Sequence, residues 1–259
     1  MLYSDEITKD SLKSGNPGCS CEGACTDSPT CSCLVRSEGP NYRPDEPLLV
    51  RFTSPKHLLG YSVYHKAIFE CNSACACRPD KCKNRLVQFR TEDTSALEAY
   101  DTQNIGQGVR ASRDLRQAEF VCAFNGRYIN ARYSHEVAAT QLKDLGHVYV
   151  TIVREFIGEN CIFGFDTAID GADSAIENHT PLPLTCLINH SCDPNMTVIP
   201  VRVNSARPIL ALFALRDIKR GEPLVYDYLE KSGQEFFLLG KKCRCGTPLC
   251  HRKFQPSRQ

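Results

Sequence analysis

The cysteines are the residues of this chain whose type and spacing most directly suggest chemistry. Nine of the sixteen fall within residues 19–82 in two bunches: Cys19, Cys21, Cys25, Cys31 and Cys33, then Cys71, Cys75, Cys77 and Cys82. The spacings are C-x-C-x3-C-x5-C-x-C and C-x3-C-x-C-x4-C. Disulfide partners this crowded would be strained, whereas thiolates one to five residues apart can converge on a soft tetrahedral ion, for which zinc is the natural choice. An odd count also argues against a closed set of disulfides. Three tetrahedral zinc ions need more sulfurs than the nine available, so three sulfurs would bridge between metals in one trinuclear cluster. The competing readings are a disulfide-rich secreted module, or two separate four-cysteine sites with a spare thiol.

A second group lies near the carboxyl end, where Cys243, Cys245 and Cys250 sit in a Gly and Pro turn and leave a zinc site one ligand short. Cys192, in the polar turn Asn189-His190-Ser191-Cys192-Asp193-Pro194-Asn195, is the best fourth ligand, because Cys122, Cys161 and Cys186 lie in apolar surroundings. His251 is its rival. With Cys192 the metal ties the tail to a central motif, and the tail helps build whatever site lies there. Otherwise the knuckle stabilises only the chain end. A cysteine protease built on His190 and Cys192 fails on geometry, since two residues apart in a turn they face each other poorly, and zinc claims the thiol.

The 259 residues suffice for one large or two small domains, and 24% charged with 42% hydrophobic residues excludes wholesale disorder. No run approaches the roughly 18 apolar residues of a membrane helix, and the start is acidic, so a soluble intracellular chain without a signal peptide is expected. Four zinc ions on thirteen thiolates would turn the formal +1 into about −4. Lys81, Lys83 and Arg85 would offset this charge beside the cluster. Such a balance suits a basic peptide partner better than a nucleic-acid backbone.

Several elements must position these groups. Residues 1–18 read as a polar lead-in, and residues 34–70 as a connection rich in proline (Pro40, Pro44, Pro47, Pro55). From about residue 86 the chain becomes a series of short β-branched or aromatic runs broken by glycine, at 108–111, 120–124, 147–153, 197–203, 208–215 and 223–228. These predict strands of several small curved sheets in a mainly β fold, with one helix near 134–143 and a loop or insertion over 169–185.

The order of these motifs carries a resemblance. Nine cysteines, then Asn84-Arg85-Leu86-Val87-Gln88, Gly108-Val109-Arg110-Ala111, residues 189–195, Tyr226-Asp227-Tyr228 and C-x-C-x4-C are similar to the pre-SET, SET and post-SET layout of histone lysine methyltransferases. Residues 199–214 most resemble the branch in which a SET portion is fused to a mariner transposase, although no transposase part is present. The resemblance implies a SET-domain β-fold with a pseudoknot over residues 86–230, preceded by a three-zinc module at 19–85 and followed by a post-SET zinc tail at 231–259. It also implies methyl transfer from S-adenosylmethionine to a lysine amine of the histone H3 tail or nucleosome, by a monomer in the nucleus, on the chromosome.

By the same resemblance, Tyr228 is the catalytic tyrosine, and Tyr226 occupies the position where the family has Phe or Tyr. A tyrosine there implies mono- or dimethylation. Tyr149 lines the cofactor and lysine sites, Asn189 and His190 bind the cofactor, and Gly106, Gln107 and Gly108 form the loop that approaches its methionine end. The pre-SET group implies H3K9 as the site, and the fusion branch H3K36 or H3K4. Four residues depart from the family pattern: Gln107 replaces a tryptophan, Phe124 a tyrosine, Cys186 an arginine, and Asp101 a frequent basic residue. These departures support a second expectation, a catalytically impaired, zinc-scaffolded chromatin-binding pseudoenzyme.

Overall fold

The computed structural model describes residues 17–26, 31–50, 68–103, 105–152, 155–157, 160–162, 167–205, 207–228 and 242–250. The lead-in up to residue 16, residues 51–67 with Pro55, His251 and the side chain of Cys161 lie outside the described residues. In chain order the elements are α1 (Ser32–Arg36), β1 (Ile68–Phe69), β2 (Leu97–Asp101), β3 (Gln107–Ala111), β4 (Phe120–Ala123), β5 (Arg127–Asn130), α2 (Ser134–Leu145), β6 (Val150–Ile152), β7 (Glu155–Ile157), β8 (Asn160–Ile162), β9 (Thr167–Asp170), α3 (Asp173–Asn178), β10 (Asn189–His190), β11 (Met196–Arg202), β12 (Ile209–Ala214) and β13 (Val225–Tyr226).

The expected architecture of small sheets is present. The largest runs β10-β13-β11-β12-β4, with β1 also paired to β11. β11 and β12 pair antiparallel from Met196↔Ala214 to Val201↔Ile209, and every residue of β11 is buried. On its other side β11 meets β13 at Met196 and β1 at Val201 and Arg202, so Pro200 lies in the gap between them, just before β1 begins, where a missing N–H breaks no ladder. β2 and β3 form an antiparallel ribbon, β5-β9-β6 a second sheet, and β7-β8 a hairpin.

One core, around Val121, Met196, Leu212 and Leu224, reaches to Tyr226 and Tyr228. A second joins the amino-terminal module to the sheet by packing Leu49, Ile68 and Val87 against Ile199 and Phe213. The buried Glu70 organises this junction: its carboxylate accepts from the Tyr42 hydroxyl at 2.7 Å and from the backbone N–H groups of Leu86, Val87 and Gln88 at 2.8, 2.7 and 3.1 Å, while its own N–H donates to the Arg202 carbonyl of β11 at 2.9 Å.

The helix expected near 134–143 is α2, which ends where Gly146 takes φ +71° and donates to the Leu142 carbonyl. The loop expected over 169–185 needs correction. β9 runs through Asp170, α3 follows, and a 3-10 turn spans Leu184–Leu187. Leu182, Leu184 and Leu187 fold this segment back onto the first core, and Arg127 pairs with Asp173 in the first turn of α3 at 2.6 Å. All four residues of β9 are buried, so the alternation that marks a half-exposed strand is missing from its sequence.

Candidate active site and metal centres

The nine amino-terminal cysteines gather into one buried cluster, with only Cys21 and Cys75 partly exposed. Three sets of four sulfurs lie within 4.8 Å of one another: Cys19, Cys25, Cys71, Cys77; Cys19, Cys21, Cys25, Cys31; and Cys19, Cys31, Cys33, Cys71. Cys19, Cys25, Cys31 and Cys71 recur between sets, as sulfurs shared between metals must. Cys75 stands 3.6 Å from Cys33. Cys82 hydrogen-bonds with Cys71 and is lowered to about 6, while burial and neighbouring thiols push Cys21 to about 11 and Cys75 to about 12. Crowded thiols that resist ionising together need a cation among them, so this donor set fits zinc. Of the cations expected to offset the charge, Arg85 reaches the Cys77 sulfur at 3.6 Å, whereas Lys81 and Lys83 are exposed. Arg36, which the sequence did not single out, donates to the Cys33 sulfur at 3.4 Å.

At the other end, the sulfurs of Cys192, Cys243, Cys245 and Cys250 form a fourth tetrad within 4.8 Å, again a donor set suited to zinc. Its neighbour corrects one expectation. His190 and Cys192 do meet, with Nε2 3.3 Å from Sγ. The Tyr228 N–H donates to His190 Nδ1 at 3.2 Å, so the ring hydrogen sits on Nε2 and faces the sulfur. With its thiol in the tetrad, Cys192 is no protease nucleophile.

A cleft of about 360 Å³ lies beside this tetrad, lined among others by Tyr100, Thr102, Asn189, His190, Arg244 and Cys245. Of the expected cofactor residues, Asn189 and His190 line it. Gly106, Gln107 and Gly108 are not among the lining residues, but Gln107 and Gly108 stand beside Asn189, whose Nδ2 donates to the Gln107 carbonyl at 3.0 Å. Gly106 turns with φ +78°, and a Cβ on Gly108 would come within 2.9 Å of Thr102 and 3.0 Å of the Asn189 amide. The bare Gly108 thus lets β3 approach Asn189, while Gly106 supplies the left-handed turn that leads into the strand. Tyr149 and Tyr228 are not among the lining residues. Tyr100 and Thr102 carry no motif of their own: the β2–β3 pairing brings Tyr100 here, and the turn after β2, where the Thr102 N–H donates to the Gly106 carbonyl, brings Thr102.

Deeper lie the tyrosines. The rings of Tyr226 and Tyr228 are 4.8 Å apart, and the His190 ring lies 5.4 Å from that of Tyr228, tilted by 59°. The Tyr228 hydroxyl donates to the Ile188 carbonyl at 2.6 Å, and Tyr226 hydrogen-bonds with Thr151. Burial pushes the phenols of Tyr149, Tyr226 and Tyr228 above their ordinary range, so all three are neutral near pH 7. Tyr149 packs against the same core. The departures fall in two places. Asp101 and Gln107 pair in register at the exposed end of the β2–β3 ribbon. Phe124 and Cys186 meet over Gly171, where an added Cβ would lie 3.1 Å from the Phe124 ring and 2.7 Å from the Cys186 sulfur.

Comparisons with known proteins agree with this arrangement. The SET domain family matches residues 106–229, and the Pre-SET motif matches residues 1–85. The chain is 34% identical over 245 residues to histone-lysine N-methyltransferase SETMAR of Mus musculus, covering 90% of this chain and 72% of that protein. It is 31% identical to probable histone-lysine N-methyltransferase set-23 of Caenorhabditis elegans, covering 92% and 87% respectively. With Su(var)3-9 of Drosophila melanogaster the identity is 35%, but the chain spans only 28% of that longer protein. Among solved structures, the human SETMAR methyltransferase domain superimposes with a TM-score of 0.69 at 27% identity, covering 93% of this chain and 82% of that one. The fold, the two sulfur centres, the cleft and these relatives lead to one assignment: the chain belongs to the SET-domain histone-lysine N-methyltransferases that carry a pre-SET module.

Proposed function

We propose that the chain transfers methyl groups from S-adenosylmethionine to a lysine ε-amine of histone H3, adding one or two at H3K9 or at H3K36 or H3K4. The observation that best supports this reading is the junction at His190, which lines the cleft and packs at a tilt against the buried, neutral phenol of Tyr228. Asn189 and His190, with the Gly106-Gln107-Gly108 loop, Tyr149 and Tyr228, would hold the cofactor. When bound, S-adenosylmethionine supplies a methyl group on a cationic sulfonium.

The protein's own residues account for the rest. A free lysine amine has a pKa of about 10.4, and aromatic, water-poor walls disfavour its ammonium form, so the proton leaves to water without a dedicated base. The Tyr228 hydroxyl, held by the Ile188 carbonyl, then orients the neutral amine. The Tyr226 hydroxyl fills space that a third methyl group needs. Three zinc ions in the nine-cysteine module and one on the Cys192 tetrad would set the frame, with the module over 19–85, the catalytic domain over 86–230, a 169–185 insertion within it, and the tail over 231–259. The protein acts as a monomer on the nucleosome, in the nucleus.

Mass spectrometry of nucleosomes and free H3, incubated with zinc-loaded protein and S-adenosylmethionine, tests this. The expected result is a methyl mark that is absent with Tyr228→Phe and rises in degree with Tyr226→Phe. The departures at Asp101, Gln107, Phe124 and Cys186 favour the pseudoenzyme as second reading, and a zinc-replete protein leaving no mark would make that binding role the better account.

A further inference from the structure

Gln141 is fully buried in the middle of α2, where an amphipathic helix ordinarily presents an apolar residue. A buried amide is costly unless both its ends find partners, and here both do. Its Oε1 accepts the backbone N–H of Tyr149 at 2.6 Å, and its Nε2 donates to Asp170 Oδ1 at 2.6 Å. The orientation is forced, because a backbone N–H can only donate and so claims the oxygen, leaving the amino group for the carboxylate. Asp170, only 3% exposed, is fixed in turn: its Oδ1 also accepts from the Ala172 N–H at 3.0 Å, and its Cα is in register with Val150 next to Tyr149. The Tyr149 carbonyl accepts from the Gly171 N–H at 3.0 Å, and the Gly171 carbonyl accepts from the Cys186 thiol at 3.2 Å. Both backbone groups of Tyr149 are therefore held from a segment three residues long and from one helical side chain.

We propose that Gln141 and Asp170 form a clamp that sets the position of Tyr149 and through it one wall of the methyl-transfer site, which makes Gln141 a positioning residue for the reaction. The role of Tyr149 in this inference rests on the function proposed above. A second observation agrees: burial pushes the Asp170 carboxyl up to about 6, a cost in stability at neutral pH of the kind that collects at functional sites.

Gln141→Met keeps the length and apolar fit of the side chain while removing both hydrogen bonds. Two readouts are taken on the zinc-loaded full chain: hydrogen exchange at the Tyr149 amide, and kcat and KM on an H3 peptide. The clamp predicts exchange at Tyr149 roughly tenfold faster, with Val121 in the main sheet unchanged. It also predicts a kcat about tenfold lower, the scale of loss from slight misplacement of a reacting group. Asp170→Asn, which retains the Oδ1 acceptor, should keep kcat, and Asp170→Ala should lose it. If Gln141→Met does not fold, that Asn and Ala pair carries the same test. Unchanged exchange at Tyr149, or an unchanged kcat in a protein whose wild type methylates H3, overturns the proposal. If the wild type transfers no methyl group, the proposed function fails, and the exchange result alone decides the clamp.

Discussion

The amino-terminal cysteines turn their sulfurs on one another in a knot where seven of nine are buried, whereas three of the four in the carboxyl-terminal tetrad are partly exposed and one of them, Cys245, lines the cleft. The module of the first centre meets the catalytic sheet from behind, through β1 on β11, the Glu70 N–H on the Arg202 carbonyl and the packing of Leu49 and Ile68 on Ile199 and Phe213. The second touches the chemistry through a relay of two contacts, Cys192 to His190 and His190 to Tyr228. One donor atom thus serves as the core of a module too small to bury enough apolar surface, and elsewhere as the hinge pin of a site. The same metal should matter for folding in one place and for ligand affinity in the other.

Four variants can break or sharpen this contrast. The largest effect is expected from Cys71→Ser, which removes a sulfur that recurs between sets: the module should unfold even with zinc present, exposing residues up to about 85 to limited proteolysis, as chelation should in the wild type. A protease-resistant module in either case would remove the distinction. Next is Glu70→Ala, which strands three backbone N–H groups and should cost about 3 kcal/mol in chemical denaturation.

Asp170→Asn acts outside both centres and in the opposite direction. The folded carboxyl titrates at about 6, above its unfolded value of 3.8, so its favourable contribution is complete below pH 3.8 and is lost as pH rises through 6. The variant should therefore be more stable than wild type at pH 7.5, by about 2 kcal/mol, with the gain shrinking toward pH 5. An equal gain at both values would contradict that sign. Smallest in free energy is Cys245→Ser, which should weaken cofactor binding about tenfold in calorimetry while leaving the amino-terminal module folded. Unchanged affinity would detach the second centre from the cleft.

What could be read from the sequence was chemistry carried by residue type at short range. The cysteine spacings, the 189–195 turn and Tyr226-Asp227-Tyr228 announce themselves because their ligands or rings lie close together in the chain. The β11 and β12 strands were equally plain, since long β-branched and aromatic runs have few other uses. What could not be read depends on partners far apart. Arg36 finds its sulfur by way of α1, Glu70 collects donors from sixteen to twenty-eight residues away, and Gln141 looks like one more polar helix residue until β9 places Asp170 beside it. The end of β9 and all of α3 read as loop or insertion in the sequence, because the strand is buried on both faces and the helix is one short polar segment. The contact of His190 with Cys192 was misjudged because a turn of two residues can fold its side chains together when one of them is held from outside, here by the Tyr228 N–H.

The tetrad joining Cys192 to Cys243 spans 51 positions of chain, and its last sulfur belongs to Cys250. A ribosome delivers the amino-terminal end first, so both halves of the nine-cysteine knot are out long before the tail. The knot can load metal and fold while the catalytic strands are still being made. The cleft, by contrast, lacks one side until Cys243, Cys245 and Cys250 emerge and fold back on Cys192. A nascent or carboxyl-truncated chain would thus be a folded scaffold with an unfinished pocket, and completion of the tail becomes the step at which the protein acquires its ligand.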